Sequence, residues 1–159
     1  VLLHLIDAAL LAGDARAALE YSESAVHESR ACNARNYLAL ALLSRIEAAL
    51  QAGALDVARA AAREALPLAA DYRLHHAITA VFARLAMCTG AIAPACLLLG
   101  YARTQPQGSD QHALHEAAQL DALRGQAEAA LGSTAVAALL QQGERLDTDA
   151  LLALAAEVA

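Results

Sequence analysis

Several groups of side chains in this sequence have the types that could do chemistry. The densest is His112-Ala113-Leu114-His115-Glu116, with Asp110 before it and Gln119 after it. Two histidines at i and i+3 plus a carboxylate on one helix face could seed a zinc site. The order matches neither common zinc-protease pattern, and no fourth ligand accompanies it. The stretch therefore reads as the polar face of a helix that follows a loop. His75 and His76 open another helix near Asp71 and Tyr72. Neighbouring positions on a helix point about 100° apart, so the two cannot easily share one ion. They read as a solvated first turn, and His4 and His27 as isolated surface or boundary residues.

The thiols and hydroxyls carry no stronger signal. Cys32, Cys88 and Cys96 make an odd number with no C-x-x-C pair. That fits reduced thiols in a cytoplasmic protein better than a disulfide framework. Cys88 and Cys96 flank Gly90, where two helices could bring them together, and read as small buried hydrophobes. Ser22, Ser24 and His27 sit in no nucleophile elbow or oxyanion motif. Glu20 with Glu23, and Asp147 with Asp149, read as exposed helix faces and caps. The expectation is no catalytic residue, no metal and no cofactor.

Composition sets the elements that would position any site. Ala makes up more than a quarter of the 159 residues, Leu is abundant, and aromatics are scarce. This favours helix almost everywhere. The net charge is −6 and every basic residue is Arg, interspersed with acids. Gripping a phosphate backbone needs clustered cations, so direct nucleic-acid contact is not expected. With no Lys and no G-x-x-x-x-G-K-[ST], a P-loop is excluded. Charged residues interrupt each apolar run well short of a membrane span. Val1 opens the chain in mid-repeat, which reads as a piece excised from something longer.

The periodicity predicts nine helices and no strand. The first covers 1–12 and ends at Gly13. Asp14 caps the second, to about Arg30, and Asn33 caps a long third helix from Ala34 to Ala52. Gly53 ends that helix and its partner returns over 55–66. Pro67 and Asp71 frame the next connection, with Asp71 capping a helix to about Cys88. Thr89-Gly90 turns the chain into a helix from Ile92 to about Arg103, where Pro94 is tolerated in the first turn. Residues 105–109 are the clearest loop, and Ser109 or Asp110 opens a helix to Leu131. Gly132 stops that helix, Ser133 caps a short one that Gly143 stops, and Asp147 caps the last.

Two stretches recur at a step of forty residues: Ile6-Asp7-Ala8-Ala9-Leu10-Leu11-Ala12-Gly13 and Ile46-Glu47-Ala48-Ala49-Leu50-Gln51-Ala52-Gly53. A weaker third copy runs from Ala83 to Gly90. Each glycine is followed, five and twelve residues on, by alanine: Ala18 and Ala25, Ala58 and Ala65, Ala95 and Ala102. Around Gly13 to Ala25 this pattern resembles the junction between the two helices of a tetratricopeptide repeat, in a long and degenerate form. The resemblance implies an all-α, antiparallel helical-hairpin solenoid. Its three helix pairs occupy 1–104, the first truncated at its N-terminus. A capping helical segment at 105–159 belongs to the same domain and covers the last apolar face.

The tail carries a second resemblance. It contains Cys96-Leu97-Leu98-Leu99-Gly100-Tyr101-Ala102, then Leu123-Arg124-Gly125 through Ala130-Leu131-Gly132. After these come Ala137-Ala138-Leu139-Leu140 through Gly143 and Ala150-Leu151-Leu152-Ala153-Leu154-Ala155. This order is similar to the C-terminal end of large bacterial ATPase-type transcriptional regulators, of the winged-helix and LuxR/maltose-activator-like classes. In them the helical repeats form a sensor or interaction arm, while separate upstream domains bind ATP and DNA. The resemblance implies a non-catalytic arm of a cytoplasmic regulator. Its partners would be other domains of the parent, a protein or a small effector, and further copies of itself. The alternative is a general docking scaffold unrelated to transcription.

In such repeats the first helices of the pairs line a concave groove. Counting back from the three glycines places Asp7, Glu47 and Arg84 at one equivalent position. Leu11, Gln51 and Cys88 share another. Asp7, Glu47, Gln51 and Arg84 are the expected groove contacts.

Overall fold

A computed structural model describes residues 1–105 and 111–159, and the side chains of all of these except 111–115. Among the described residues the chain is all-α, with nine helices and no strand. They are α1 (Leu2–Leu11), α2 (Ala15–Ala31), α3 (Arg35–Gln51), α4 (Leu55–Asp71), α5 (His75–Cys88), α6 (Ile92–Ala102), α7 (Gln111–Leu131), α8 (Ser133–Gly143) and α9 (Thr148–Val158).

One device ends each of the first five helices. Gly13, Asn33, Gly53, Arg73 and Gly90 all take positive φ. At each, the residue's own N–H and the next one reach back to carbonyls of the last turn. Gly13 donates to Leu10 and Asp14 to Ala9, and the same pair of bonds recurs through Ala34, Ala54, Leu74 and Ala91. This is the Schellman arrangement, which satisfies carbonyls that a helix end would otherwise leave orphaned. The left-handed residue recurs every twenty residues up to Arg73, and the step then shortens to seventeen.

That regularity corrects three expectations. Asn33 is not the cap of α3; it is the left-handed residue (φ 52°), and Ala34 occupies the cap without a side-chain bond. Asn tolerates this conformation better than most residues, which is why it can stand where glycine stands elsewhere. Asp71 is the last residue of α4 rather than the cap of α5, because the reversal falls at Arg73. Pro67 lies inside α4 instead of ending it. Its missing N–H would have bonded the Arg63 carbonyl, and both residues lie on the exposed side of the helix, where water can take that place. Meanwhile Leu68 and Ala69 on the other side stay buried.

The two predicted aspartate caps do form. The Ala17 N–H donates to Asp14 Oδ1 at 3.0 Å, and the Ala150 N–H to Asp147 Oδ1 at 2.8 Å. Ser133, by contrast, is the first residue of α8 and makes no capping bond; Gly132 is its N-cap.

Each of α1 to α6 packs on the helix that follows it. The odd-numbered helices also touch in series, α1 on α3, α3 on α5 and α5 on α7. The six alanines after the glycines are all buried, none more than 5% exposed. A side chain larger than a methyl would push these helices apart. A continuous apolar core runs from Ile6 through Ile46, Phe82 and Leu98 to Val136 and Val158. Ser22 and Thr79 are fully buried within this packing, but their hydroxyls donate to Leu19 and His75 carbonyls of their own helices.

The C-terminal helices do more than follow on in line. α8 lies against α6 and α7, whereas α9 turns back onto α4, α5 and α6. α8 ends at Gly143 as expected, and that residue is also buried against Gly100 of α6. A Cβ at Gly100 would strike the Leu140 carbonyl, and one at Gly143 would strike the Leu97 carbonyl. The two helices therefore cross backbone to backbone, and only glycine fits at either position.

Candidate functional site

Helices α1, α3, α5 and α7 share a cavity of about 300 Å³. Each presents one face to it at helical spacing. From α1 come Leu3, Asp7, Leu10 and Leu11, and from α3 Leu40, Leu43, Ser44, Glu47 and Gln51. From α5 come Ala77, Ala80, Val81 and Arg84. The α5 positions are those of α3 moved thirty-seven residues along, 40 to 77, 43 to 80, 44 to 81 and 47 to 84. The repeat thus carries a whole helix face from one element to the next. α7 closes the remaining side with Glu116, Gln119 and Leu120.

All four residues expected in the groove, Asp7, Glu47, Gln51 and Arg84, line this one cavity. Cys88, equivalent to Gln51 by the repeat count, is exposed and lies outside it. The sequence reading missed the three α7 residues, because that helix lacks the glycine-anchored pattern from which the face was counted. Its i, i+3, i+4 grouping of Glu116, Gln119 and Leu120 was the available signal.

Glu47 and Arg84 form an ion pair across α3 and α5, Arg84 Nη1 to Glu47 Oε1 at 3.2 Å. About a quarter of each side chain is open, 26% for Glu47 and 23% for Arg84. Burial pushes the Glu47 carboxyl above its ordinary range. Arg84 opposes this through its charge and its hydrogen bond, and is outweighed. The carboxylates of Asp7 and Glu116 push it further upward.

Around this pair, Glu116 Oε2 meets His76 Nε2 at 3.1 Å, joining α7 to α5. Gln51 Nε2 donates to the Leu10 carbonyl at 3.2 Å, joining α3 to α1. Among the described residues Asp7 faces no cation within ion-pair distance. Among the described residues the lining thus combines leucine-rich walls with three carboxylates and one guanidinium.

The other chemical groupings do not converge. The histidines at 112 and 115, with Asp110, lie outside the described side chains, and Glu116 is engaged by His76. No cluster of three or more metal-ligating side chains forms among the described residues. Ser22 and Ser24 each donate to a carbonyl of their own helix, at Leu19 and Glu20. Glu20 pairs with Arg16 on the surface. Cys88 is exposed, against the expectation of a buried pair, because it ends α5 where the chain turns outward; Cys96 is fully buried, and burial raises its thiol pKa.

A second cleft lies on the opposite side of α3, between α2 and α4. Arg30 Nη2 bridges it to both carboxylate oxygens of Glu64, at 2.7 and 2.6 Å. No helix among the described residues is long and apolar enough to cross a membrane. No protein-family model, curated protein or solved structure matches this chain.

Proposed function

We propose that this chain is a non-catalytic binding arm, a tetratricopeptide-like helical solenoid whose inner helices receive a ligand or partner in the α1–α3–α5–α7 cavity. The observation that carries the reading is the convergence of four consecutive odd-numbered helices on one cavity, each through an i, i+3, i+4 face. A volume of about 300 Å³ with mostly apolar walls and a few polar groups is what small-ligand sites have. The polar groups there are the Glu47–Arg84 ion pair, the carboxylates of Asp7 and Glu116, two amides and Ser44. Among the described residues Ser44 makes no hydrogen bond to an imidazole or carboxylate that could activate it, and the arrangement suits recognition rather than turnover.

The tail's similarity to bacterial ATPase-type regulators supports placing this arm in a cytoplasmic transcriptional regulator. A ligand in the cavity would bridge helices from successive repeats. It would then favour the arrangement in which those helices are closest, shifting the parent by its differential affinity for two states. The coding sequence flanking Val1 and Ala159 tests this assignment. An upstream P-loop with a winged-helix or helix-turn-helix segment is the expected result. Further repeats alone would replace it with the docking-scaffold reading. In the assembled regulator, joint replacement of Glu47 and Arg84 by Gln and Met should weaken the effector response while helical content and melting cooperativity persist. An unchanged response at full expression would remove the cavity from the mechanism.

A further inference from the structure

We infer that the ligand of this cavity is a small organic cation, an ammonium or guanidinium group carried on an apolar body. This rests on the reading of the cavity as the ligand-receiving site and adds the chemical class. The apolar body is specified by the walls: Leu3, Leu10, Leu40, Leu43, Val81 and Leu120 contribute from all four helices. The charge is specified by imbalance at the polar side of the cavity. Among the described residues, Asp7, Glu47 and Glu116 face a single guanidinium, that of Arg84, which Glu47 already engages. Glu116 is held by the imidazole of His76, which is about half exposed.

Among the described residues Asp7 has no cation partner; it lies on an exposed turn of α1, where an incoming ammonium can reach it. Negative charge in excess, beside apolar walls that limit its hydration, raises the local potential and draws cations. An anionic ligand of the same shape would meet the unmatched carboxylate of Asp7 instead. Burial is the main reason the Glu47 carboxyl is pushed upward, and the charges of Asp7 and Glu116 add to it in the same direction.

Hexylammonium, hexanol and hexanoate share one apolar chain and differ in charge. Titrating each into the protein, with leucine and valine methyls followed by NMR, reads both place and affinity. Hexylammonium should shift the Leu3, Leu43 and Val81 methyls and bind about fivefold tighter than hexanol, the scale of a partly exposed ion pair. Hexanoate should bind most weakly. Raising the salt concentration should erode the hexylammonium preference and leave hexanol unaffected. Asp7→Asn, at an exposed position with no ion-pair partner among the described residues, should lower hexylammonium affinity about threefold and spare hexanol. Hexanol or hexanoate binding these methyls as tightly as hexylammonium would overturn the cationic class and leave the cavity standing as a ligand site. If none of the three moves these methyls, the ligand-site reading itself falls.

Discussion

Replacing Gly100 with alanine sets a methyl group against the Leu140 carbonyl, and Gly143→Ala does the same against Leu97. Neither obstacle is a side chain that can rotate away. Both are helix backbone, so α6 and α8 must separate for either substitution to fit. Overpacking of this kind costs about 1–3 kcal/mol, and the rigid obstacle places these sites at the upper end. Alanine's better helix propensity returns about 1 kcal/mol, leaving a net loss of about 2 kcal/mol. For a chain of this size that lowers Tm by about 4–8 °C.

Gly125 supplies the internal control. It lies in α7 with nothing within 4 Å of a Cβ, so Gly125→Ala should gain about 1 kcal/mol from propensity alone. Urea unfolding followed by circular dichroism measures all three. The double variant Gly100→Ala/Gly143→Ala should lose less than the sum of the singles, because one separation of the helices admits both methyls. If Gly100→Ala and Gly143→Ala matched Gly125→Ala in sign, the close crossing of α6 and α8 would be refuted.

Two further outcomes follow from the helix ends and the ion pair. Gly53→Ala should cost about 1 kcal/mol through its left-handed conformation, while Arg73→Gly, at the same turn position with φ 55°, should recover about 0.5–1 kcal/mol; equal effects of the same sign would show that the turns are not equivalent. The Glu47 carboxyl titrates higher in the folded than in the unfolded chain, so the native state holds the extra proton between those two pKa values. Stability should therefore be greatest below the unfolded value and fall as pH rises through the folded one, an effect that Glu47→Gln removes. Unfolding free energies of the two proteins that run parallel across that range would contradict it.

Much of this molecule is legible without a structure because helix ends are decided locally. Asp14 and Asp147 cap because a carboxylate one residue before a helix can reach its free N–H groups. Gly13, Gly53 and Gly90 turn the chain because a left-handed residue is cheap there, and the alanines that follow are buried because the repeat fixes which side they occupy. The equivalence of Asp7, Glu47 and Arg84 followed from the same count, since a repeated helix presents the same face each time. Local signals misled where tertiary packing set the outcome. Pro67 stays within α4 because its flank of the helix is exposed while its neighbours are buried. Asn33 and Arg73 complete turns that the sequence marks with no glycine.

The all-helical fold, most of the helix ends and the face carrying the charged residues are written into short stretches of sequence, each less than two helices long. Which faces meet depends on how the helices pack together. The role of Gly143 as a contact surface depends on α8 crossing α6 at Gly100, forty-three residues earlier in the chain. The closing of the cavity by Glu116 and Leu120 depends on where α7 comes to rest, beyond the reach of the repeat. No periodicity encodes either, because the distance between two helices is fixed by the packing of everything between them.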